Sequence, residues 1–124
     1  MPEKTVLEAV RDALAEELER DERVVVMGED IGNMGGAFRA TEGFLSRFGQ
    51  RRIIDTPLAE TAIIGIAIGM AVNGMIPVAE IQFADFMFSA YDQLVNEAAK
   101  FRYRSGGSFS VPMVMRAPYG AGIH

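Results

Sequence analysis

The chain has 124 residues, which is enough for one compact domain and too few for two. Hydrophobic residues make up 49% of it and charged residues 23%, which excludes disorder as the default state. The 12 lysines and arginines are scattered and outnumbered by 17 acids, which argues against nucleic-acid binding. With no cysteine and one histidine, the sequence excludes a disulfide framework, a thiolate zinc site and a Ser-His triad within the chain.

The amino-terminal part predicts a helix, a buried strand and a loop. Thr5 and Glu8 have the spacing of a capping box, and apolar residues then recur on one helical face as far as Arg20. Residues 24–27 are an unbroken apolar run, which is typical of a strand buried on both faces. The glycine-rich segment 28–36 matches no phosphate-binding fingerprint and carries two acids, so we interpret it as a flexible loop over a strand end.

The rest of the chain alternates helices and strands. The predicted elements are a helix over 41–48, a strand over 52–54, a helix over 58–73, a strand over 77–81, a long helix over 84–104 and a strand over 111–115. This order predicts an α/β fold with an open, mostly parallel sheet and helices on both faces. Such sheets bind ligands at the carboxyl ends of their strands. No signal or transit peptide is visible, so we expect a cytoplasmic protein.

An apolar run over residues 62–79 has 18 residues without a formal charge, which touches the lower limit for a membrane span. Glycines, a proline and an asparagine interrupt the run, and acids precede it, so we favour a buried helix. Gly65 and Gly69 lie four residues apart on one helical face, where small residues allow close packing. Their spacing leaves core packing and a subunit interface equally open.

Glu60 is the strongest candidate for chemistry. It lies in the first turn of the helix predicted over 58–73, where the helix dipole favours an acid without any further function. Because the residues after Thr61 are apolar, we expect desolvation to keep the carboxyl neutral. A neutral carboxyl can donate a proton to a ring nitrogen. The sequence gives equal weight to helix stabilisation and to proton donation.

Aromatic residues are dense where the long helix is predicted to begin, and they are Phe83, Phe86, Phe88 and Tyr91. Such clusters are mostly core, and the alternative is that one ring stacks on a flat heterocycle at the strand ends. A further hypothesis is that Glu29, Glu60 and Asp92 form an acidic lining that moves protons between paired sites. Solvent exposure is the simpler interpretation of Glu29 and Asp92.

Several segments occur together in a characteristic order: 28–32 (GEDIG), 36–43 (GAFRATEG), 55–60 (DTPLAE), 79–85 (AEIQFAD) and 101–107 (FRYRSGG). With them, residues 5–124 resemble the beta subunit of the thiamine diphosphate-dependent 2-oxo acid dehydrogenases, the decarboxylating component of the pyruvate and branched-chain complexes. The resemblance implies that residues 1–124 are the amino-terminal portion of a pyrimidine-binding domain, and that a carboxyl-terminal domain is absent. Family chains continue past His124, so the family's catalytic histidine is not assigned to it.

The resemblance also implies a cofactor site shared by two chains. The position of Glu60 bonds the pyrimidine nitrogen of thiamine diphosphate and is catalytic, while Glu29 and Phe86 lie beside the cofactor. Phe86 stands where the family often has tyrosine. The partner chain holds the diphosphate and Mg²⁺, which agrees with the missing Gly-Asp-Gly sequence. In some members K⁺ binds to main-chain carbonyls at the positions of Val111, Met113 and Val114.

The partners that the resemblance implies are the alpha subunit of an α2β2 heterotetramer, a second beta subunit and the lipoyl acyltransferase core, with no nucleic acid and no membrane. The implied reaction is oxidative decarboxylation of pyruvate or branched-chain 2-oxo acids, with acyl transfer to lipoyl. Residues 101–107 look slightly more like the branched-chain enzymes. Two other hypotheses are a truncated, non-catalytic assembly module that binds through residues 65–72, and a flavodoxin-like nucleotide binder, which lacks a phosphate loop.

Overall fold

Short apolar strands alternate with helices along the chain, and the computed structural model describes residues 3–120. The strands are β1 (Val24–Gly28), β2 (Ile53–Asp55), β3 (Ile76–Glu80) and β4 (Val114–Arg116), and the α-helices are α1 (Val6–Arg20), α2 (Phe44–Phe48), α3 (Glu60–Val72) and α4 (Phe101–Arg104). The strands pair in parallel in the order β2-β1-β3-β4. The predicted α/β fold with a parallel sheet is therefore confirmed.

Helix α1 begins at the predicted capping box. The Glu8 N–H donates to the Thr5 hydroxyl at 3.2 Å, and the Thr5 N–H donates to the Glu8 carboxylate at 2.7 Å. These two bonds satisfy main-chain donors that a helix start leaves free. Leu14 and Leu18 are buried beneath the helix, so the apolar face identified in the sequence packs on the sheet.

The core lies on both faces of the sheet, because every residue of β1 is buried. On one face, Val26 packs with Leu18 of α1 and Phe44 of α2. On the other face, Met27 packs with Ile64 of α3 and with the segment that follows β3. Burial on both faces explains why β1 appears in the sequence as an unbroken apolar run instead of an alternating one.

The prediction of a single long α-helix after β3 is wrong. The chain forms a 3₁₀ segment (Ala84–Ala90), a π-helical segment (Gln93–Ala98) and then α4. Near the first junction, the Thr61 hydroxyl donates to the Ser89 carbonyl at 2.5 Å, and the Ser89 hydroxyl donates to the Phe86 carbonyl at 3.0 Å. Because side chains occupy these carbonyls, they compete with the regular helical hydrogen bonds, and the helix changes its pitch there.

The fourth strand begins at Val114, whereas the sequence predicted a start at Val111. Pro112 has no N–H to donate to a neighbouring strand, and the Met113 N–H donates back to the Val111 carbonyl at 2.9 Å. The side chains of Val111 and Met113 nevertheless pack against the core. The apolar pattern therefore identified Val111 and Met113 as partly buried residues, but it overestimated the length of the strand, and Val114 is 53% exposed.

The apolar run over residues 62–79, which the sequence raised as a membrane candidate, is divided between α3 and β3. No helix within residues 3–120 is long and apolar enough to cross a membrane. The two glycines of α3 differ in their surroundings. A Cβ at Gly65 would lie 3.4 Å from the Gln93 side chain, so Gly65 packs inside the chain, whereas a Cβ at Gly69 would meet no described atom within 4 Å.

A buried ion pair joins the ends of β3 and β4. Glu80 is only 2% exposed, and its carboxylate accepts a hydrogen bond from the Arg116 guanidinium on the neighbouring strand. Burial raises the pKa of Glu80, while the charge and hydrogen bond of Arg116 lower it. The pair lies on the face of the sheet that carries Val78, beneath the loop that follows β1.

Replacing Arg116 with methionine should destabilise the fold by about 3–5 kcal/mol at neutral pH, because it leaves Glu80 charged and unpaired in the interior. The folded protein then holds the Glu80 proton more tightly than the unfolded chain does. Stability is therefore retained below the ordinary glutamate pKa and is lost as the pH rises through the higher pKa of the folded state. Urea unfolding at about pH 5 and about pH 8 measures this slope.

The matched control adds Glu80→Gln to the Arg116→Met background. Glutamine has nearly the same shape and carries no charge, so the double variant should regain most of the lost stability and should not show the pH slope. Wild-type stability in Arg116→Met at both pH values would contradict the assignment of Glu80 as a buried charge.

Candidate functional site

Two carboxyl side chains lie near each other where β1 and β2 end. Glu29 directly follows β1, and Glu60 begins α3 after the turn that leaves β2. In that turn the Thr56 N–H donates to the Gly28 carbonyl at 2.9 Å, which ties the end of β2 to the end of β1. The negative charge of Glu60 is close enough to raise the pKa of Glu29. The structure therefore brings together two of the three acids of the proposed lining.

Glu29 is only 5% exposed, so the interpretation of this residue as a solvated acid is wrong. Burial raises the pKa of its carboxyl, and the charges of Glu60 and Asp30 raise it further, while the Ala59 amide opposes the shift. Its Oε1 atom is buried and has no hydrogen-bond partner among the described residues. Because buried polar atoms almost always have a partner, this oxygen indicates a donor that comes from outside the described chain.

Glu60 is half-buried, and its Oε2 accepts a hydrogen bond from the Ser89 hydroxyl at 3.3 Å. The apolar environment expected around it is incomplete in this chain, because Leu58 in the preceding turn is 77% exposed. A carboxyl in this position has one side on the protein and one side open to a ligand or to another chain. Proton donation by Glu60 remains a prediction.

The loop after β1 is fixed by contacts from several elements. The Gly32 N–H donates to the Asp55 carboxylate at 2.6 Å, and the buried Thr41 hydroxyl donates to the Ile31 carbonyl at 2.7 Å. The Gly36 N–H donates to the main-chain carbonyl of Asp30 at 2.8 Å. These amides are therefore already occupied, which agrees with the rejection of a phosphate-binding loop. The loop instead holds Glu29 in place.

The aromatic cluster is mostly outside the core, which corrects the preferred interpretation of the sequence. Phe86, Phe88 and Tyr91 are 47%, 73% and 53% exposed, and Phe83 is half-buried. Phe83 contacts Phe86 edge-to-face, with ring centroids 5.7 Å apart, and contacts the ring of Phe38 in the same way at 5.9 Å. Phe86 is thus the outer member of a packed row of rings, with part of its surface free for a ligand.

A crevice of about 470 Å³ opens beside Phe86 at the carboxyl edge of the sheet. It lies between the start of the 3₁₀ segment and the loop after β4, and its lining residues are Phe83, Ala84, Asp85, Phe86, Pro118, Tyr119 and Gly120. Both segments follow strand ends, which is where an open parallel sheet binds its ligands. The crevice therefore lies at the edge that the topology predicts.

Asp92 stays outside the site. It is exposed, and its carboxylate accepts a hydrogen bond from the Asn96 side chain at 2.6 Å, one helical turn further on. No hydrogen bond within residues 3–120 links it to Glu29 or Glu60. The simpler interpretation, a solvated charge on a helix face, is confirmed for Asp92.

Within the described part of the chain, no group of three or more His, Cys, Asp or Glu side chains is placed to hold a metal ion. The main chain at residues 111–113 lies outside the strand ladder, with the Val111 carbonyl accepting from Met113.

The sequence did not reveal that the Ser89 hydroxyl is a partner of Glu60. Ser89 lies 29 positions away along the chain and reaches the carboxylate because the 3₁₀ segment packs on α3. Thr61 donates to the Ser89 main chain from the same helix start. The sequence offers no local signal for this contact, since serine and threonine are common at such junctions.

A family model described as transketolase, pyrimidine binding domain matches residues 3–124. The 2-oxoisovalerate dehydrogenase subunit beta of Bacillus subtilis (strain 168) is 55% identical over 118 residues, which cover 95% of this chain and 36% of that protein. The pyruvate dehydrogenase E1 component subunit beta of Acholeplasma laidlawii is 53% identical over 119 residues, which cover 96% of this chain and 36% of that protein.

A third relative is the pyruvate dehydrogenase E1 component subunit beta of Bacillus subtilis (strain 168). It is 48% identical over 124 residues, which cover 100% of this chain and 38% of that protein. The chain therefore spans a little over a third of the length of the curated relatives it matches.

Proposed function

Because the chain belongs to the transketolase pyrimidine-binding domain family, we propose that it is the amino-terminal part of the beta subunit of a thiamine diphosphate-dependent 2-oxo acid dehydrogenase. The reaction would be oxidative decarboxylation of a 2-oxo acid with acyl transfer to lipoyl. Both pyruvate and branched-chain 2-oxo acids are candidate substrates, because relatives named as 2-oxoisovalerate dehydrogenase and as pyruvate dehydrogenase subunits match at similar identity. Residues 1–124 would form the amino-terminal portion of the pyrimidine-binding domain.

The observation that carries the proposal is that Glu60 and Glu29 lie near each other at the carboxyl ends of β2 and β1. The residues present fit an aminopyrimidine, which offers both donor and acceptor nitrogens. Glu60 has an open side toward the solvent, and the buried Glu29 Oε1 has no donor within the described residues. The partly exposed ring of Phe86 offers a flat surface, but no hydroxyl where the family often has one.

In this proposal Glu60 binds the pyrimidine nitrogen and holds a proton there, and Glu29 lies beside it as a second carboxyl. Burial and the nearby charge of Glu60 raise the pKa of Glu29. Thiamine diphosphate supplies, when bound, the electron sink that decarboxylation of a 2-oxo acid requires. This chain contributes the two carboxyls and the aromatic surface, and it excludes water from one side of the bound cofactor.

The diphosphate and Mg²⁺ would be held by the partner chain, as the resemblance to the thiamine diphosphate-dependent 2-oxo acid dehydrogenases implies. K⁺ is assigned to the main-chain carbonyls of Val111, Met113 and Val114. The support for this site is that Val111 and Met113 lie outside the strand ladder, whereas Val114 is the first residue of β4 and pairs with Val78. Main-chain carbonyls are the oxygen ligands that K⁺ prefers.

The assembly we propose is an α2β2 heterotetramer, with an alpha subunit and a second beta subunit as contacts and the lipoyl acyltransferase core as the larger partner. Helix α3 supports a subunit interface, because it is apolar on both its buried and its outer face. Ile66 on the outer face is 53% exposed, and a groove of about 340 Å³, lined largely by apolar residues, runs beside it between α3 and the end of β2.

Gly69→Leu tests this interface. The Leu side chain would project into open space in the described chain, and leucine favours a helix by about 1 kcal/mol over glycine. The variant should therefore fold at least as stably as wild type while losing association with its partner subunits. Co-purification and analytical ultracentrifugation of the full-length subunit with its alpha partner measure the loss.

Ala13→Leu is the matched control, since Ala13 lies on the exposed face of α1. It adds the same side chain to another helix and should leave assembly unchanged. Undiminished assembly of Gly69→Leu would remove α3 from the interface.

The full-length subunit that contains this chain, combined with its alpha subunit, tests the function itself. We expect thiamine diphosphate-dependent release of CO₂ from pyruvate or from a branched-chain 2-oxo acid, measured separately for each substrate. The beta chain alone should show no turnover, because the diphosphate and Mg²⁺ are assigned to the partner. Assembly without turnover on any 2-oxo acid would favour the non-catalytic module instead.

A further inference from the structure

The Ser89 hydroxyl lies between two acceptors next to the carboxyl pair. It is 3.0 Å from the main-chain oxygen of Phe86 and 3.3 Å from Oε2 of Glu60. A serine hydroxyl has one hydrogen, so the two acceptors share it. The Ser89 hydroxyl oxygen therefore links Phe86, the outer aromatic residue, to the carboxyl of Glu60 in the first turn of α3.

The main chain around Ser89 is held independently of this contact. The next residue, Ala90, is fully buried and packs in the same cluster as Ile63 and Ala67 of α3. The Thr61 hydroxyl also donates to the Ser89 carbonyl at 2.5 Å. Because both anchors belong to α3 or pack on it, the Ser89 hydroxyl keeps a fixed place relative to the first turn of that helix.

The Glu60 carboxyl has few other constraints. Its residue is half-buried at a helix start whose preceding residue, Ala59, provides no side-chain cap. Within residues 3–120, Ser89 supplies the side-chain hydrogen bond recorded for this carboxyl. A glutamate has three rotatable bonds, so an unheld carboxyl samples several rotamers and loses time in unproductive ones.

We infer that Ser89 is a positioning residue that orients the Glu60 carboxyl by holding Oε2, so that the other oxygen faces the ligand. The inference rests on the proposed function, because it assigns Ser89 a role only through Glu60. The Ser89 hydroxyl also contacts the main-chain oxygen of Phe86, so it links the position of the Glu60 carboxyl to that of Phe86. The two acids alone do not provide this link. Preorganisation of this kind affects the reacting complex more than substrate binding.

The experiment uses the full-length subunit assembled with its alpha partner and saturated with thiamine diphosphate. Ser89→Ala should lower kcat by about fivefold to twentyfold and leave KM for the 2-oxo acid within about twofold. Ser89→Thr keeps the hydroxyl and should restore most of kcat. Ser46→Ala is the matched control, because the Ser46 hydroxyl also donates to a main-chain carbonyl, at 2.8 Å, but lies in α2.

The same change is then made in a Glu60→Gln background. If Ser89 acts through Glu60, Ser89→Ala should lower the residual kcat of Glu60→Gln by less than about twofold. A loss of the same size in both backgrounds would show a structural role and overturn the inference, as would wild-type kcat in Ser89→Ala. If Glu60→Gln itself keeps full turnover, the proposed function fails, and that result is distinct from a failure of the inference.

Discussion

Glu60→Gln should lower turnover by about 10² to 10⁴ in the full-length subunit assembled with its alpha partner. Glutamine has the size of glutamate and can still form a hydrogen bond, but it has no titratable proton. The variant should therefore keep most of its affinity for thiamine diphosphate while losing the chemical step. Steady-state kinetics with saturating 2-oxo acid, combined with calorimetric titration of the cofactor, separates binding from catalysis.

Asp92→Asn is the control for this experiment. Asp92 is an acid of the same charge, is exposed and is bonded to Asn96 on a helix face. Neutralising it should leave turnover unchanged, which separates the removal of a site carboxyl from a general change in charge. Turnover of Glu60→Gln within about threefold of wild type would contradict a proton-holding role for Glu60.

Gly35→Ala should destabilise the fold by about 2–5 kcal/mol and disturb the loop that holds Glu29. Gly35 has φ +77°, a left-handed conformation that costs an alanine about 1–2 kcal/mol. An added Cβ would also lie 2.7 Å from the main-chain Cα of Glu42, so the loop would have to move. Overpacking of this kind adds about 1–3 kcal/mol. Urea unfolding of the purified protein measures the total.

Gly43→Ala provides the matched control, because Gly43 is left-handed with a similar φ of +80° and has no described atom within 4 Å of the added Cβ. Its cost should be limited to the left-handed conformation, about 1–2 kcal/mol. The difference between the two variants then measures the close contact at Gly35 alone. Equal costs for both would mean that the loop can yield to the extra atom without strain.

The regular elements were largely readable from the sequence, because the forces that form them act between near neighbours. The capping box at Thr5 and Glu8 needs only one helical turn, and the structure has both of its hydrogen bonds. The apolar run of β1 needs only strand geometry and burial on both faces. The prediction of one long helix after β3 was wrong because the Thr61 hydroxyl of α3 and the Ser89 hydroxyl within the segment compete for its carbonyls, and the contact from Thr61 leaves no local pattern.

The candidate site was predicted in part. Glu60 was identified because an acid next to an apolar helix is visible along the chain, and the structure places it at the predicted sheet edge. Glu29 appeared to be a loop acid exposed to solvent, yet it is 5% exposed. Two hydrogen bonds between residues distant in sequence anchor the loop that carries it. Asp55 accepts from Gly32, 23 positions away, and Thr41 donates to Ile31, 10 positions away.

By itself the sequence determined the alternation of elements, the parallel α/β fold, the helix start at Thr5 and the family resemblance, since each of these follows from residue order and short-range periodicity. Only the tertiary structure decided that Glu29 is buried near the charge of Glu60, that Phe86 lies at the surface and that Ser89 reaches Glu60. The physical reason is that burial and side-chain hydrogen bonding depend on which segments meet in space. The packing of the whole sheet determines these contacts, and they produce no periodic pattern in the sequence.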